Sequence, residues 1–208
     1  MKAISLFSGG KDSFLSSMIA MEQGYTIDYG ITVIPEEYSM MFHYPNAYLS
    51  GFSASLLGFN IKYIKENAFE NYIKNISDKY DAIITGAIAS DYQKARIEKL
   101  CYNHNTIVYS PLWRLNQEDI LDELISRKIK AKIVSISAEG FVKEDLGKDI
   151  DSDYIKYLKN LYEKYRINIA ADGGEYESFV YGLSDCTLKI KSQKIIWKNS
   201  GGYLMIEI

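Results

Sequence analysis

The sequence predicts an α/β fold: a parallel sheet with helices on both faces, plus a small C-terminal α+β subdomain. Three observations carry that expectation. Short apolar runs alternate with helix-period segments about five times before residue 137. A glycine turn, Ser8-Gly9-Gly10-Lys11-Asp12-Ser13, joins the first apolar run to the first helical segment. Beyond residue 137 the pattern changes to one helix followed by short strands.

Ala3-Ile4-Ser5-Leu6-Phe7 reads as a buried strand. Phe14, Leu15, Met18, Ile19 and Met21 then form an apolar stripe that Gly24 stops. Residues 27–34 are a second buried strand, ended by Pro35. Helical spacing over 47–57, a strand over 61–64 and a helix over 69–80 follow. Residues 81–85 are the next buried strand, with Gly86-Ala87 at its carboxyl end. Ser90 can cap a helix from Asp91 to about residue 103. Residues 106–109 are a strand, 117–127 a helix, and 131–136 the last strand of the parallel series. Ligands of such sheets sit beyond the carboxyl ends of the strands, where the glycine turn and Gly86-Ala87 both fall. After that, 151–165 is a helix and 170–177 is glycine-rich and acidic. Residues 176–181, 187–191, 194–197 and 203–208 are strands, with Ser200-Gly201-Gly202 as a turn. The expected division is 1–136 and 137–208.

The chain has 208 residues, 47% hydrophobic and 25% charged, within the range of a globular protein. Its net charge of −3 gives no basic field for wrapping nucleic acid. Two isolated cysteines, Cys101 and Cys186, disfavour a zinc ribbon, an iron–sulfur site or a disulfide scaffold. No apolar stretch reaches membrane-spanning length, and the start shows no signal-peptide pattern, so the expected location is cytoplasmic. The 18 tyrosines are read mainly as compositional bias.

The turn has the chemistry of a polyphosphate site. Gly9 and Gly10 let backbone N–H groups approach a ligand, and the following helix points its positive dipole end there. Lys11 supplies a full charge; Ser8 and Ser13 supply hydroxyls. The Walker pattern does not fit, because no glycine lies four residues upstream and Asp12 stands where Ser or Thr belongs. The run instead resembles the S-G-G-x-D-S pyrophosphate loop of enzymes that split ATP between its α and β phosphates. The bland alternative is a solvated strand-to-helix turn.

Three further segments stand out. In Met41-Phe42-His43-Tyr44-Pro45-Asn46, His43 is a proton carrier or, read alone, a satisfied structural histidine. In the block from Gly86 to Cys101, Gln93 and Arg96 share a helix face and Glu98 lies to the side, which spacing alone reads as a solvated face. In Asp172-Gly173-Gly174-Glu175-Tyr176-Glu177-Ser178, a strand would place Glu175 and Glu177 on one side, a carboxylate pair or simply an acidic turn.

Together the segments run S-G-G-K-D-S, M-F-H-x-P-N, G-A-I-x-S-x-Y-Q-x-x-R-I-E-x-x-C, P-L-W, L-G-K-x-I-D and G-G-E-Y-E-S. This succession resembles the diphthine–ammonia ligase family, from Phe7 to about Val180. The resemblance implies an adenine nucleotide α-hydrolase-like, pyrophosphate-loop fold, with 1–136 binding nucleotide and 137–208 binding substrate. It implies ATP-dependent amidation of diphthine on translation elongation factor 2 with ammonium, releasing AMP and pyrophosphate, the last step of diphthamide synthesis. Ala171-Asp172 stands where Gly-Glu is expected, which weakens the case for Asp172. The chain ends without the extension of larger eukaryotic relatives, which points to an archaeal-type, single-module form.

On that resemblance, Ser8, Gly9, Gly10, Lys11, Asp12 and Ser13 hold the pyrophosphate, with Asp12 a water-mediated Mg²⁺ ligand. Thr32, Val33, Gly86 and Ala87 border the adenine. His43, Asn46, Tyr92, Gln93, Arg96, Glu98 and Tyr176 are expected at the substrate, Arg96 as an anion clamp. Glu175 and Glu177 are candidates to bind ammonium and take its proton. Tyr44, Tyr92, Trp113 or Tyr176 offers an aromatic face to the trimethylammonium group of diphthine. No stable nucleic-acid or membrane binding is expected, and the oligomeric state is left open, a homodimer included. The rivals are a tRNA-modifying pyrophosphate-loop ATPase and a non-catalytic ATP/AMP sensor. Steep salt-dependent tRNA binding marks the first, and no AMP formation with any acceptor marks the second.

Overall fold

The computed structural model describes residues 1–34, 46–198 and 200–208. The chain divides into two compact units, Met1–Arg114 and Leu115–Ile208. The first unit contains β1 (Lys2–Leu6), α1 (Lys11–Glu22), β2 (Thr26–Ile34), α2 (Ser50–Ser55) and β3 (Ile61–Lys65). It continues with α3 (Glu66–Ile76), β4 (Ala82–Ile84), α4 (Asp91–Cys101) and β5 (Ile107–Tyr109). The sheet order is β3-β2-β1-β4-β5, parallel throughout. Strand order therefore reverses at β1. The carboxyl end of β1, where the glycine turn begins, is the topological switch point at which such sheets open a crevice.

Alternate residues of β1 serve opposite faces. Ile4 joins Ile31, Val33 and Ile83 in a core closed by Phe69, Ile73 and Ile76 of α3 and by Ile97, Leu100 and Cys101 of α4. Ser5 points the other way, and its Oγ lies 2.8 Å from Ser17 Oγ of α1. The expected two-sided cover is thus met, with α1 on one face and α3 and α4 on the other. Gly24, at φ +89°, follows α1, and its N–H donates to Met21 O (3.0 Å). A left-handed glycine at that place ends a helix.

The second unit contains α5 (Gln117–Ser126), β6 (Ile129–Ile136), α6 (Ser152–Tyr165), β7 (Tyr176–Leu183), β8 (Cys186–Thr187), β9 (Ser192–Lys198) and β10 (Gly201–Glu207). Its sheet is antiparallel, in the order β8-β7-β6-β10-β9. Four expectations change here. The strand expected to finish the parallel series is β6, and it pairs antiparallel with β7 and β10 instead. The division expected after residue 136 accordingly lies after Arg114. The strand expected over 187–191 is reduced to the two-residue β8. Gly201 and Gly202, expected in a turn, lie in β10 opposite Lys198 and Trp197. Gly202 packs against the Ile196 carbonyl and the Trp197 ring, leaving no room for a Cβ.

Helix α6 starts as its sequence suggests. The Asp151 carboxylate accepts from the N–H of Asp153 (3.1 Å) and Tyr154 (2.8 Å). Tyr154, Ile155, Leu158 and Leu161 are its buried stripe. Among the described residues no helix is long and apolar enough to cross a membrane.

Candidate functional site

The glycine turn leaves β1 at Phe7, whose N–H donates to Ile31 O (2.8 Å). Gly9 has φ +84°, a left-handed conformation that favours glycine. Gly10 is the extended N-cap of α1, and no side chain among the described residues caps that helix. The turn is held from within by two serines. Ser13 Oγ donates to Gly10 O (3.0 Å) and accepts from Ser8 N–H (3.2 Å). Ser8 Oγ lies 3.2 Å from Ser13 Oγ and accepts from Gly10 N–H (3.3 Å). Ser8 and Ser13, expected as ligand donors, are here engaged with each other and the turn backbone. Lys11 is 1% exposed. Its ammonium lies 2.8 Å from each oxygen of the half-buried Asp12 carboxylate. A buried cation and an uncapped helix N-terminus at one point suit an anion.

Two neighbours set the position of this turn. Gly86, just past β4, backs onto the first turn of α1. A Cβ there would stand 2.7 Å from Ser13 N, 2.9 Å from Asp12 C and 3.0 Å from Ser13 Cα. The close approach expected of Gly86 toward a nucleotide is therefore, in the structure, an approach to the loop's own helix. On another side a Cβ at Gly9 would come within 3.1 Å of Ser50 Cα. The buried Ser50 Oγ lies 2.7 Å from Thr32 Oγ1, which donates to Phe7 O (2.5 Å). Thr32 is buried and Val33 packs in the core. Ala87 is likewise buried, its N–H 3.4 Å from Thr85 Oγ1. Ser50 was not foreseen. Its signal was the small-residue spacing Ser50, Ser53, Ala54, all buried in α2, which permits close backbone approach.

Within the block from Gly86 to Cys101, Asp91–Cys101 is helical, as expected. Ser90 Oγ accepts from Gln93 N–H (3.4 Å), the foreseen cap. Arg96 Nε lies 3.0 Å from Glu70 Oε1, in an open groove lined also by Glu66, Asn67 and Asn71. Glu98 pairs with Lys94 at 3.4 Å, and Tyr92 is exposed. Burial pushes the Cys101 thiol up, which suits a core residue and not a nucleophile. Asn46 opens a 3-10 turn, Asn46–Leu49. His43 and Tyr44 lie outside the described residues.

In the second unit Glu175 and Glu177 are not both strand residues. Glu175 precedes β7, and its carboxylate turns back so that Oε1 accepts from Asn168 N–H (2.8 Å). Gly173 makes room for it: a Cβ there would lie 2.7 Å from Oε1. Glu175 Oε2 is buried without a hydrogen-bond donor among the described residues. Glu177 sits within β7 opposite Ser135. Tyr176 is buried, packs edge-on to Phe141 and donates its hydroxyl to Ile169 O (2.7 Å). It is a core residue, so the expectation that it lines a substrate pocket gives way. Asp145 is also buried, accepting from Val142 N–H (2.8 Å) and from the Tyr157 hydroxyl (3.3 Å).

A parallel sheet that reverses at β1, with a serine-braced glycine turn opening α1 at that point, defines an α/β protein of the pyrophosphate-loop class. A solved structure described as a predicted subunit of a tRNA methyltransferase from Methanocaldococcus jannaschii shares this fold. Its TM-score is 0.51 at 21% identity, covering 89% of this chain and 98% of that one. The diphthamide synthase N-terminal domain profile matches residues 1–106 and the C-terminal domain profile residues 116–208. The Bos taurus diphthine–ammonia ligase is 32% identical over 219 residues, spanning 90% of this chain and 80% of the relative. The Homo sapiens enzyme is 31% identical over 218 residues, with the same coverage. The chain belongs to the diphthamide synthase family. The two profiles meet on either side of Arg114, where the compact units divide.

Proposed function

We propose that this protein joins ammonia to the carboxylate of diphthine on translation elongation factor 2 in the cytoplasm. ATP is converted to AMP and pyrophosphate through an acyl-adenylate. The observation that carries this reading is the uncapped α1 N-terminus above the buried Lys11, a ready anion seat in a chain of this family. A carboxylate is a poor electrophile with a poor leaving group. Its oxygen attacks the α phosphorus, the bond to the β phosphate's bridging oxygen breaks, and pyrophosphate departs with the electron pair. Ammonia then attacks the acyl carbon and AMP leaves. The Gly9 and Gly10 turn, the first-turn amides and Lys11 stabilise the charge that grows on the departing pyrophosphate.

The residues present suit a Mg²⁺ ion of the kind held mainly by phosphate and water. Asp12 is the carboxylate at the loop, partly exposed and anchored by Lys11, and it would be the protein's contribution. When bound, the ion would neutralise phosphate charge. Ammonium must lose a proton before it attacks. Glu175 is assigned to hold it, because Oε2 is a buried acceptor without a donor, and Glu177 is assigned beside it as a second acceptor. Arg96 is assigned to an anionic group of the substrate.

The test is reconstitution. The protein is mixed with diphthine-bearing elongation factor 2, ATP, Mg²⁺ and ammonium, and the factor is weighed for conversion of acid to primary amide. Amide formation with AMP as the nucleotide product supports the reading. ADP as product, or an unchanged factor, overturns it.

A further inference from the structure

We propose that the indole face of Trp113 is the seat for the substrate's quaternary ammonium group, held in this structure by the protein's own Lys94. The inference rests on the reading that diphthine is the substrate. Lys94 Nζ stands 4.5 Å over the Trp113 ring and Arg114 Cζ 5.6 Å from the same centroid. Each cation has a carboxylate from α4: Glu98 lies 3.4 Å from Lys94 and Asp91 lies 3.6 Å from Arg114. One aromatic ring with flanking carboxylates is therefore already gathering positive charge.

A trimethylammonium group has no N–H to donate. It is recognised by aromatic faces and diffuse negative charge, which is what this cluster presents. Lys94 is an exchangeable occupant, since its bond to Glu98 is a surface i,i+4 pair of small worth. Position agrees with chemistry. Arg114 N–H donates to Ile88 O (2.7 Å), which fastens the Trp113 turn beside the segment whose Gly86 packs on the first turn of α1. In diphthine the trimethylammonium and the carboxylate to be amidated share one carbon. The cation must then be held on the same sheet edge as the phosphate loop, and Trp113 is there. Of the other candidates among the described residues, Tyr176 is buried and Tyr92 carries no cation in the described contacts.

The chain has two tryptophans, so Trp197→Phe leaves Trp113 as the sole indole. Tetramethylammonium chloride should then change its fluorescence saturably, where sodium chloride at equal ionic strength does not. Lys94→Gln should tighten that response several-fold. In the reconstituted reaction Trp113→Leu should raise KM for the diphthine-bearing factor about tenfold. KM for ATP should stay unchanged, and Trp113→Phe should recover most of the loss. A Trp197→Phe response to tetramethylammonium no different from sodium, or one that Lys94→Gln leaves as it was, overturns the proposal. So does an unchanged KM in Trp113→Leu. Failure of the wild-type protein to amidate at all instead removes the proposed reaction. If Trp113→Leu does not fold, the surface substitution Lys94→Gln decides.

Discussion

Substituting Gly86 by alanine separates a packing role from a backbone one. Gly86 lacks a positive φ, so alanine meets no conformational penalty there. What it meets is backbone: Ser13 N at 2.7 Å, Asp12 C at 2.9 Å and Ser13 Cα at 3.0 Å. Ordinary contact begins near 3.4 Å, so the first turn of α1 must retreat by roughly 0.7 Å. Overpacking of that size costs about 1–3 kcal/mol. The larger effect is local. Moving the amides and Lys11 proposed to hold the leaving group by a sizeable part of an ångström should slow AMP formation about 10–100-fold. Gly58→Ala is the control: its φ is +82° and open space surrounds it, so it should lose about 1 kcal/mol of stability and no activity. Thermal unfolding and AMP release are measured for both variants. Equal AMP rates for Gly86→Ala and Gly58→Ala would refute the claim that Gly86 positions the loop helix.

Lys11→Met keeps an unbranched buried side chain but removes the charge. It should leave near-UV circular dichroism unchanged while AMP formation falls about 10²–10³-fold; a drop of less than about threefold would make Lys11 a structural residue. Ala171 has φ +63°, so Ala171→Gly should raise unfolding stability by about 1 kcal/mol in denaturant titration, with no gain if the turn relaxes otherwise. Burial, aided by donation to Asp149 (3.0 Å), pushes the Tyr181 hydroxyl from its usual 10 up to about 12. The native state then keeps that proton longer than the unfolded chain. The contribution is complete below pH 10 and is lost as pH rises through 12. Tyr181→Phe should flatten the alkaline fall of the melting temperature over that interval, and an unaltered slope would count against it.

Local chemistry was legible in the sequence, and partner choice was not. The β1–turn–α1 unit could be read because the apolar run, two glycines and the helix stripe are contiguous. The Ser90 cap and the α6 start at Asp151 were legible for the same reason. β6 shows the limit. Its alternation of buried and half-buried residues is the same whether its neighbours run parallel or antiparallel, so the pattern could not say which sheet it joins. Gly86 and Thr32 are read from the sequence as bordering an adenine at the carboxyl ends of their strands. Their observed contacts are with segments distant in sequence, Asp12 and Ser13 in one case and Phe7 and Ser50 in the other, which periodicity does not encode. Glu175 and Glu177 were paired by a strand rule, but β7 begins only at Tyr176.

Strand order also sets when each unit can assemble as the polypeptide emerges. All five strands of the parallel sheet are available once Tyr109 has been made. The other sheet keeps β10 in its interior, between β6 and β9, so its hydrogen-bond ladder stays open until residues 201–207 exist. On a translating ribosome the first unit can therefore mature while the second waits with an exposed β6 edge, the stage at which a nascent chain needs protection from aggregation.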